Sequence, residues 1–181
     1  NLWWQSWEGV QGYDDEETDP AAPFGTAEEE RVRGTDSIQL RGIEGTGIAI
    51  TEHEPVAANF KINAPTSAIA PNDILMACDF DHAVVFQVTN YNSGNVTVGH
   101  SSKEGNISPG NCSKGLGYPT DCSTTGNGYS FEANSQLARF AATGWYIGFN
   151  GRTSDGGRSL YRIRLDKGAT DVVEEIVSGV R

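Results

Sequence analysis

Basic residues are scarce in this 181-residue chain: 13 lysines and arginines stand against 24 aspartates and glutamates, giving a net charge of −11. Nucleic acid needs a basic surface to neutralise its phosphates, and anionic membrane surfaces attract one too, so the shortage argues against both as partners. Long apolar runs are also missing. No stretch approaches the roughly 20 consecutive apolar residues that span a bilayer. The opening NLWWQSWEGV has neither the basic segment nor the apolar core of a signal peptide, so either targeting information was never present or the chain is a mature or trimmed product, and the apolar weight of Trp3, Trp4 and Trp7 favours the second. No convincing amphipathic helix and no internal repeat appears.

Catalytic and metal-binding signatures are lacking as well. The serines fall in no G-x-S-x-G elbow, and no glycine-rich phosphate loop leads from a strand into a helix. GGRSLYR resembles such a loop only superficially, because it runs into a strand. Asp79, Asp81 and His82 lie close together in DFDH, yet no H-E-x-x-H or C-x-x-C spacing supplies a further ligand. A turn in which aspartates bond local backbone N–H groups accounts for DFDH adequately. His53, His82 and His100 are scattered. The acidic cluster Asp14, Asp15, Glu16, Glu17 and Asp19 lacks the spacing of a calcium loop and reads as a solvated charge run. The expectation is no enzyme and no cofactor. Three N-x-[ST] sequons, at Asn95, Asn106 and Asn111, compare with the roughly two that chance supplies.

What is present is the signature of β-structure. Twenty-two glycines suit a fold rich in turns, and the length suits one domain with a core of its own. Residues 12–36 read as a long surface loop, with a marginal helix over 27–33. DSIQLRG alternates Ile38 and Leu40 with polar neighbours, as a half-buried strand does, and GIAITE repeats the alternation, with the glycines of GIEGTG predicting a tight connection between the two. Prolines 55, 65 and 71 leave FKIN as at most a short edge strand. DILMAC, AVVFQVTN and NVTVGH predict three more strands. The 101–136 segment is irregular, and its length requires that it be functional or tied down. ARFAATGWYIGFN predicts a long strand with Trp145, Ile147 and Phe149 on one face and Tyr146 on the other. SLYRIRLD predicts its partner, and TDVVEEIVSGV a last strand or a short helix. The sum is a mainly β chain, an antiparallel meander with two long loops.

Two features resist a purely structural account. Trp3, Trp4 and Trp7 crowd a terminal segment, either packed on the domain's own core or forming a candidate interface. The chain also has an odd number of cysteines. Cys112 and Cys122 can close a small loop containing Gly115, Gly117 and Pro119, which implies an oxidising compartment. Three reduced thiols, or a pairing of Cys78 with either of the others, remain open at this level.

The order GTDSIQLRG, FKIN, DILMACDFDHAVVFQVTN, WYIGFNGRTSDGGRSLYRIRL and EEIVSGV resembles the PilW-like minor pilins of bacterial type IV pili, over most of the chain from about Gly34 onward. Its most specific pieces are the D-x-L-x-x-x-D-x-x-x-A-x-x-F-Q-V-T stretch from Asp73 and the Y-I-G-x-N-G-R…S-L-Y-R hairpin. The resemblance implies a β-sheet head carried on a long N-terminal helix that this sequence does not contain, with residues 1–35 as the loop or linker region after the helix and 36–181 as the head. It implies assembly with other major and minor pilins, and a tip adhesin among possible partners, in an initiation or tip complex serving adhesion, motility or DNA uptake. The expected location is the bacterial surface pilus or the periplasm, anchored in the inner membrane before assembly. It also implies that Cys78, if Cys112 and Cys122 pair, has its partner upstream of Asn1. The competing reading is an extracellular sugar- or calcium-binding β-domain.

Overall fold

The computed structural model describes residues 2–102 and 107–180, apart from the side chain of Thr46. The mainly β expectation holds. Among the described residues the regular elements are strands β1 (Val10–Tyr13), β2 (Ser37–Glu54), β3 (Asn59–Ile62), β4 (Ile74–Cys78), β5 (Ala83–Gln87), β6 (Asn90–Asn92), β7 (Thr97–Gly99), β8 (Gln136–Phe149), β9 (Arg158–Leu165) and β10 (Asp171–Ser178), with 3-10 turns at Thr153–Asp155 and Lys167–Ala169. The described strand registers are all antiparallel. Only β8–β9–β10 is a simple meander.

Several elements differ from the sequence expectation, each for a visible reason. The predicted pair of strands around GIEGTG is one continuous strand, β2. Gly45 and Gly47 take positive φ values of 77° and 91° inside it, a conformation that costs glycine little, so they serve the strand interior rather than a turn. The FKIN segment is not at an edge, because β3 lies between β2 and β7 and its flanking prolines fall outside it. No helix forms over 27–33. The Glu30 carboxylate instead accepts the backbone N–H groups of Thr26 and Ala27, both at 2.7 Å, and the next residue, Arg31, turns inward.

The chain groups into two compact units interleaved in sequence: unit 1 holds residues 1–42, 141–166 and 170–181, and unit 2 holds 43–140 and 167–169. Residues 1–35 therefore share a unit with β9 and β10 rather than standing apart as a linker. They include β1, and the backbone ties them to β8: Glu29 N–H donates to the Phe149 carbonyl at 2.8 Å and Val32 N–H to that of Ile147 at 2.9 Å.

Unit 1 is a sheet of order β10-β9-β8-β2-β1. One face is covered by the 14–35 segment. Its interior is unusually polar. Arg31 is fully buried and donates to the carbonyls of Asp14 (2.6 Å), Glu17 (3.0 Å) and Thr35, with its guanidinium carbon 4.4 Å from the centre of the Phe24 ring. Burial pulls its pKa down, while Asp19, Asp36, Asp14 and Asp15 pull it back. Asp19 is also buried, accepting from Ala21 N–H (2.7 Å), the Ser37 hydroxyl (2.6 Å) and the Gln39 amide.

Unit 2 has an apolar core of Ile50, Phe60, Ile62, Ile69, Leu75, Ala77, Phe86, Val88, Val98, Leu116, Phe131 and Leu137. One group of strands runs β2-β3-β7-β6 and another pairs β4 with β5 and β8. The β4–β5 hairpin is the one predicted at DILMACDFDHAVVFQ, with Cys78 opposite Ala83.

Candidate interface surfaces

In β2 the side-chain alternation is inverted relative to polarity. Ser37 and Gln39 face inward to Asp19, whereas Ile38 and Leu40 point out and are each 39% exposed. Sequence alternation identifies the strand correctly, but hydropathy names the wrong face as buried. The same inversion recurs on β8. Its covered face carries Ala142, Gly144, Tyr146 and Gly148, and its other face carries Trp145, Ile147 and Phe149, all only partly buried. The glycines explain this choice. A Cβ on Gly148 would stand 2.7 Å from a ring carbon of Tyr161, and one on Gly144 would stand 2.8 Å from Ile163 Cγ2, so the covered face makes room for the stacked Tyr146–Tyr161 pair. The Tyr146 hydroxyl donates to the Glu29 carbonyl at 2.8 Å, and burial raises its pKa.

Strand register brings the outward residues together. Leu160 pairs with Ile147 and Val10 with Leu40, so an apolar stripe crosses β1, β2, β8 and β9 on the uncovered face. An open groove of about 540 Å³ lies over it, lined by Ile38, Trp145, Ile147 and Leu160, with Tyr13, Asp14 and Asp36 at its border. A charged ladder borders the stripe: Arg162 sits 5.6 Å from the centre of the Trp145 ring and pairs with Glu174, whose pKa is lowered chiefly by that bond. Arg152 pairs with Glu175 and, at 3.0 Å, with Asp155. Such charges on β10 discourage indiscriminate pairing along that edge.

The three N-terminal tryptophans separate. Trp3 and Trp4 are buried, and the Trp3 indole N–H donates to Asp171 Oδ1 at 3.0 Å, so for these two the structure gives packing within unit 1 rather than an interface. Trp7 is 72% exposed and is the member that stays available to a partner.

In unit 2 Cys112 and Cys122 form a disulfide, and Cys78 is a free, half-buried thiol. The bridge is one of several anchors on the 101–136 segment. Asn111 is a second: its amide oxygen accepts Gln87 N–H at 2.7 Å, and its Nδ2 donates to the Gln87 carbonyl at 2.8 Å, imitating a strand pairing. Leu116 enters the core as a third, its carbonyl 2.8 Å from His82 Nε2. The bridge was legible in the sequence, whereas the Asn111 and Leu116 anchors were not. They also commit the Asn111 amide to internal bonds. Asn95 is exposed, and Asn106 lies outside the described residues.

The DFDH turn forms as its aspartates suggest. Asp79 Oδ1 accepts from Asp81 N–H (3.2 Å) and His82 N–H (2.9 Å), and Asp79 N–H donates to the His82 carbonyl. The Tyr129 hydroxyl lies 2.7 Å from Asp79 Oδ2, and its ring packs 4.2 Å from that of His82. Bonds from the Tyr129 hydroxyl and the two turn N–H groups lower the Asp79 pKa against the opposing pull of desolvation. No group of three or more His, Cys, Asp or Glu poised to hold a metal is found among the described residues. No family model, no curated protein and no solved structure matches the chain.

Proposed function

We propose that the chain is the β-sheet head of a PilW-like minor pilin, a structural subunit that assembles with other pilins in an initiation or tip complex of a type IV pilus. The observation that carries this reading is the inversion in β2 and β8 of unit 1, where Ser37 and Gln39 are buried with Asp19 and Arg31 while Ile38, Leu40, Trp145 and Ile147 stay on the uncovered face. A chain that folds for itself alone gains nothing from that distribution. One that docks against another apolar surface does, because burial of these side chains is deferred until assembly. Among the described residues the only helical elements are two 3-10 turns, and in this reading the cover for the face is a surface of another subunit. The acidic Asp14 and Asp36 beside the groove favour an apolar partner surface that also carries lysine or arginine. The role is one of assembly rather than catalysis, carried out at the bacterial surface, with Trp7 as a second contact point.

The test is fractionation of cells that produce the protein. In the proposed role it co-purifies with sheared surface filaments and with other pilins. Recovery only in filament-free fractions, or a Tm that rises on adding calcium, would instead favour the reading as an extracellular binding module.

A further inference from the structure

His53 and His100 meet in the core of unit 2 with their Nε2 atoms 3.1 Å apart. His53 stacks on Phe60 with ring centres 4.2 Å apart and lies 5.7 Å from Phe131, while His100 lies 4.8 Å from Phe60 and 5.8 Å from Phe86. Both residues are buried, His100 completely. The pair joins three parts of the chain: β2 through His53, the end of β7 through His100, and the 128–135 segment through Phe131, whose backbone N–H donates to His53 Nδ1 at 3.1 Å.

These contacts fix the protons. His53 Nδ1 accepts from a backbone N–H, so neutral His53 carries its hydrogen on Nε2 and donates it to His100 Nε2. Neutral His100 then carries its hydrogen on Nδ1, which is buried and, among the described residues, meets no acceptor in good hydrogen-bond geometry, its own backbone carbonyl exerting only a weak pull. Every basic lone pair of the two rings is therefore occupied by an incoming N–H. A proton arriving from solvent at His53 Nδ1 would confront the Phe131 N–H, and one arriving at His100 Nε2 would confront the His53 N–H. Either proton breaks a bond and places a charge among three phenylalanines.

We propose that His53 and His100 form a proton-sensitive latch that holds the core of unit 2 closed while both rings are neutral and releases it on acidification. Among the described residues no carboxylate is bonded to either ring to offer the imidazolium form a partner. Glu52 and Glu54 flank His53 on β2 and are exposed, Glu132 follows Phe131 and is exposed, and Lys61 beside Phe60 reaches Thr97 instead. His82, Tyr129 and the Asp79–Asp81 turn lie on the other side of Phe131. Burial alone lowers the His53 pKa to about 4. Burial first and His53 second lower that of His100 to about 3, against a pull from its own backbone carbonyl. Because both groups bind protons more weakly folded than unfolded, their stabilising contribution is complete above pH 6.5. It is lost as pH falls, down to about 4 for His53 and about 3 for His100. Each site lowers the folding equilibrium constant by about tenfold per pH unit in that window.

The experiment is urea unfolding of the full 181-residue chain between pH 7.5 and 4.5, followed by the NMR amide signals of Phe60 and Phe131, in the parent and in His53→Asn and His100→Gln. These substitutions keep an acceptor near Nδ1 and Nε2 respectively but do not titrate. The parent is expected to lose stability steeply below pH 6.5, and each variant to show a slope shallower by about tenfold per pH unit. Imidazole nitrogen shifts of the folded parent supply a readout that does not depend on the variants folding: His53 protonated at Nε2, His100 at Nδ1, neither titrating above pH 5. An imidazole of this pair titrating near pH 6.5 in the folded chain, or equal slopes in parent and variants, would overturn the latch.

Discussion

Arg31 carries a full charge into the interior of unit 1 and finds no carboxylate bonded to it, only backbone carbonyls and an aromatic face. Its role is to organise the acidic 14–35 segment: it bonds the carbonyls of Glu17 and Thr35, and it adds a second donor to that of Asp14, which also accepts the Glu17 N–H at 3.2 Å. Arg31→Met keeps much of the volume and removes the donors, leaving the carbonyls of Asp14, Glu17 and Thr35 short of partners. The expected cost is about 3 kcal/mol or more. All four tryptophans, Trp3, Trp4, Trp7 and Trp145, belong to unit 1, so urea unfolding followed by tryptophan fluorescence reads this loss directly. Gly148 makes the complementary case. A methyl group there collides with the Tyr161 ring, and Gly148→Ala should lower the same fluorescence midpoint by about 1–3 kcal/mol, whereas alanine at exposed Gly12, where a Cβ meets nothing, should have little effect. Neither role is visible in the sequence. Arg31, with Arg33 beside it, lies in a stretch that reads as an acidic surface loop, and Gly148 lies within a predicted long strand where nothing marks the close approach of Tyr161.

At the scale of elements, periodicity in the sequence finds strands well and assigns their faces poorly. The alternation in SIQLRG and in GWYIGF is real. In each case, however, the side chosen for the interior is the one whose groups meet the 14–35 segment, with hydrogen bonds from Ser37, Gln39 and Tyr146. That choice depends on residues outside the strand, 18 and 20 positions away for Ser37 and Gln39 and 117 for Tyr146, so the pattern within the strand does not reveal it. The irregular 101–136 segment was legible as one that must be fastened, and the Cys112–Cys122 bridge is one of the fastenings. The others, Asn111 on Gln87 and Leu116 in the core, come from single side chains with no spacing signature. Two measurements follow. Mass spectrometry of unreduced peptides of the 181-residue chain should show Cys112 linked to Cys122 and a free thiol at Cys78; a peptide linking Cys78 to Cys112 or to Cys122 would contradict the structure. Replacing both bridged cysteines by serine should cost unit 2 about 3 kcal/mol on the loop-closure argument, read from the Phe60 and Phe131 amides.

For the whole molecule, unit 1 buries Arg31, Asp19, Ser37 and Gln39 beside Trp3, Trp4, Val32, Ile163 and Leu165 and leaves Ile38, Leu40, Trp145 and Ile147 on a face that nothing among the described residues covers, while unit 2 gathers its large apolar side chains in one core around the His53–His100 pair. The contrast between the two units is the reason for reading unit 1 as the docking body. The net charge of −11 keeps such a face from collecting further copies of the same acidic chain and favours partners with basic residues. The most direct test introduces a photo-cross-linking residue at Ile147, on the uncovered face, and separately at Val56, which is 86% exposed in unit 2. In producing cells the account predicts light-dependent adducts with other pilins from position 147 and none from position 56. Failure of position 147 to capture a pilin, or equal capture from both positions, would contradict it.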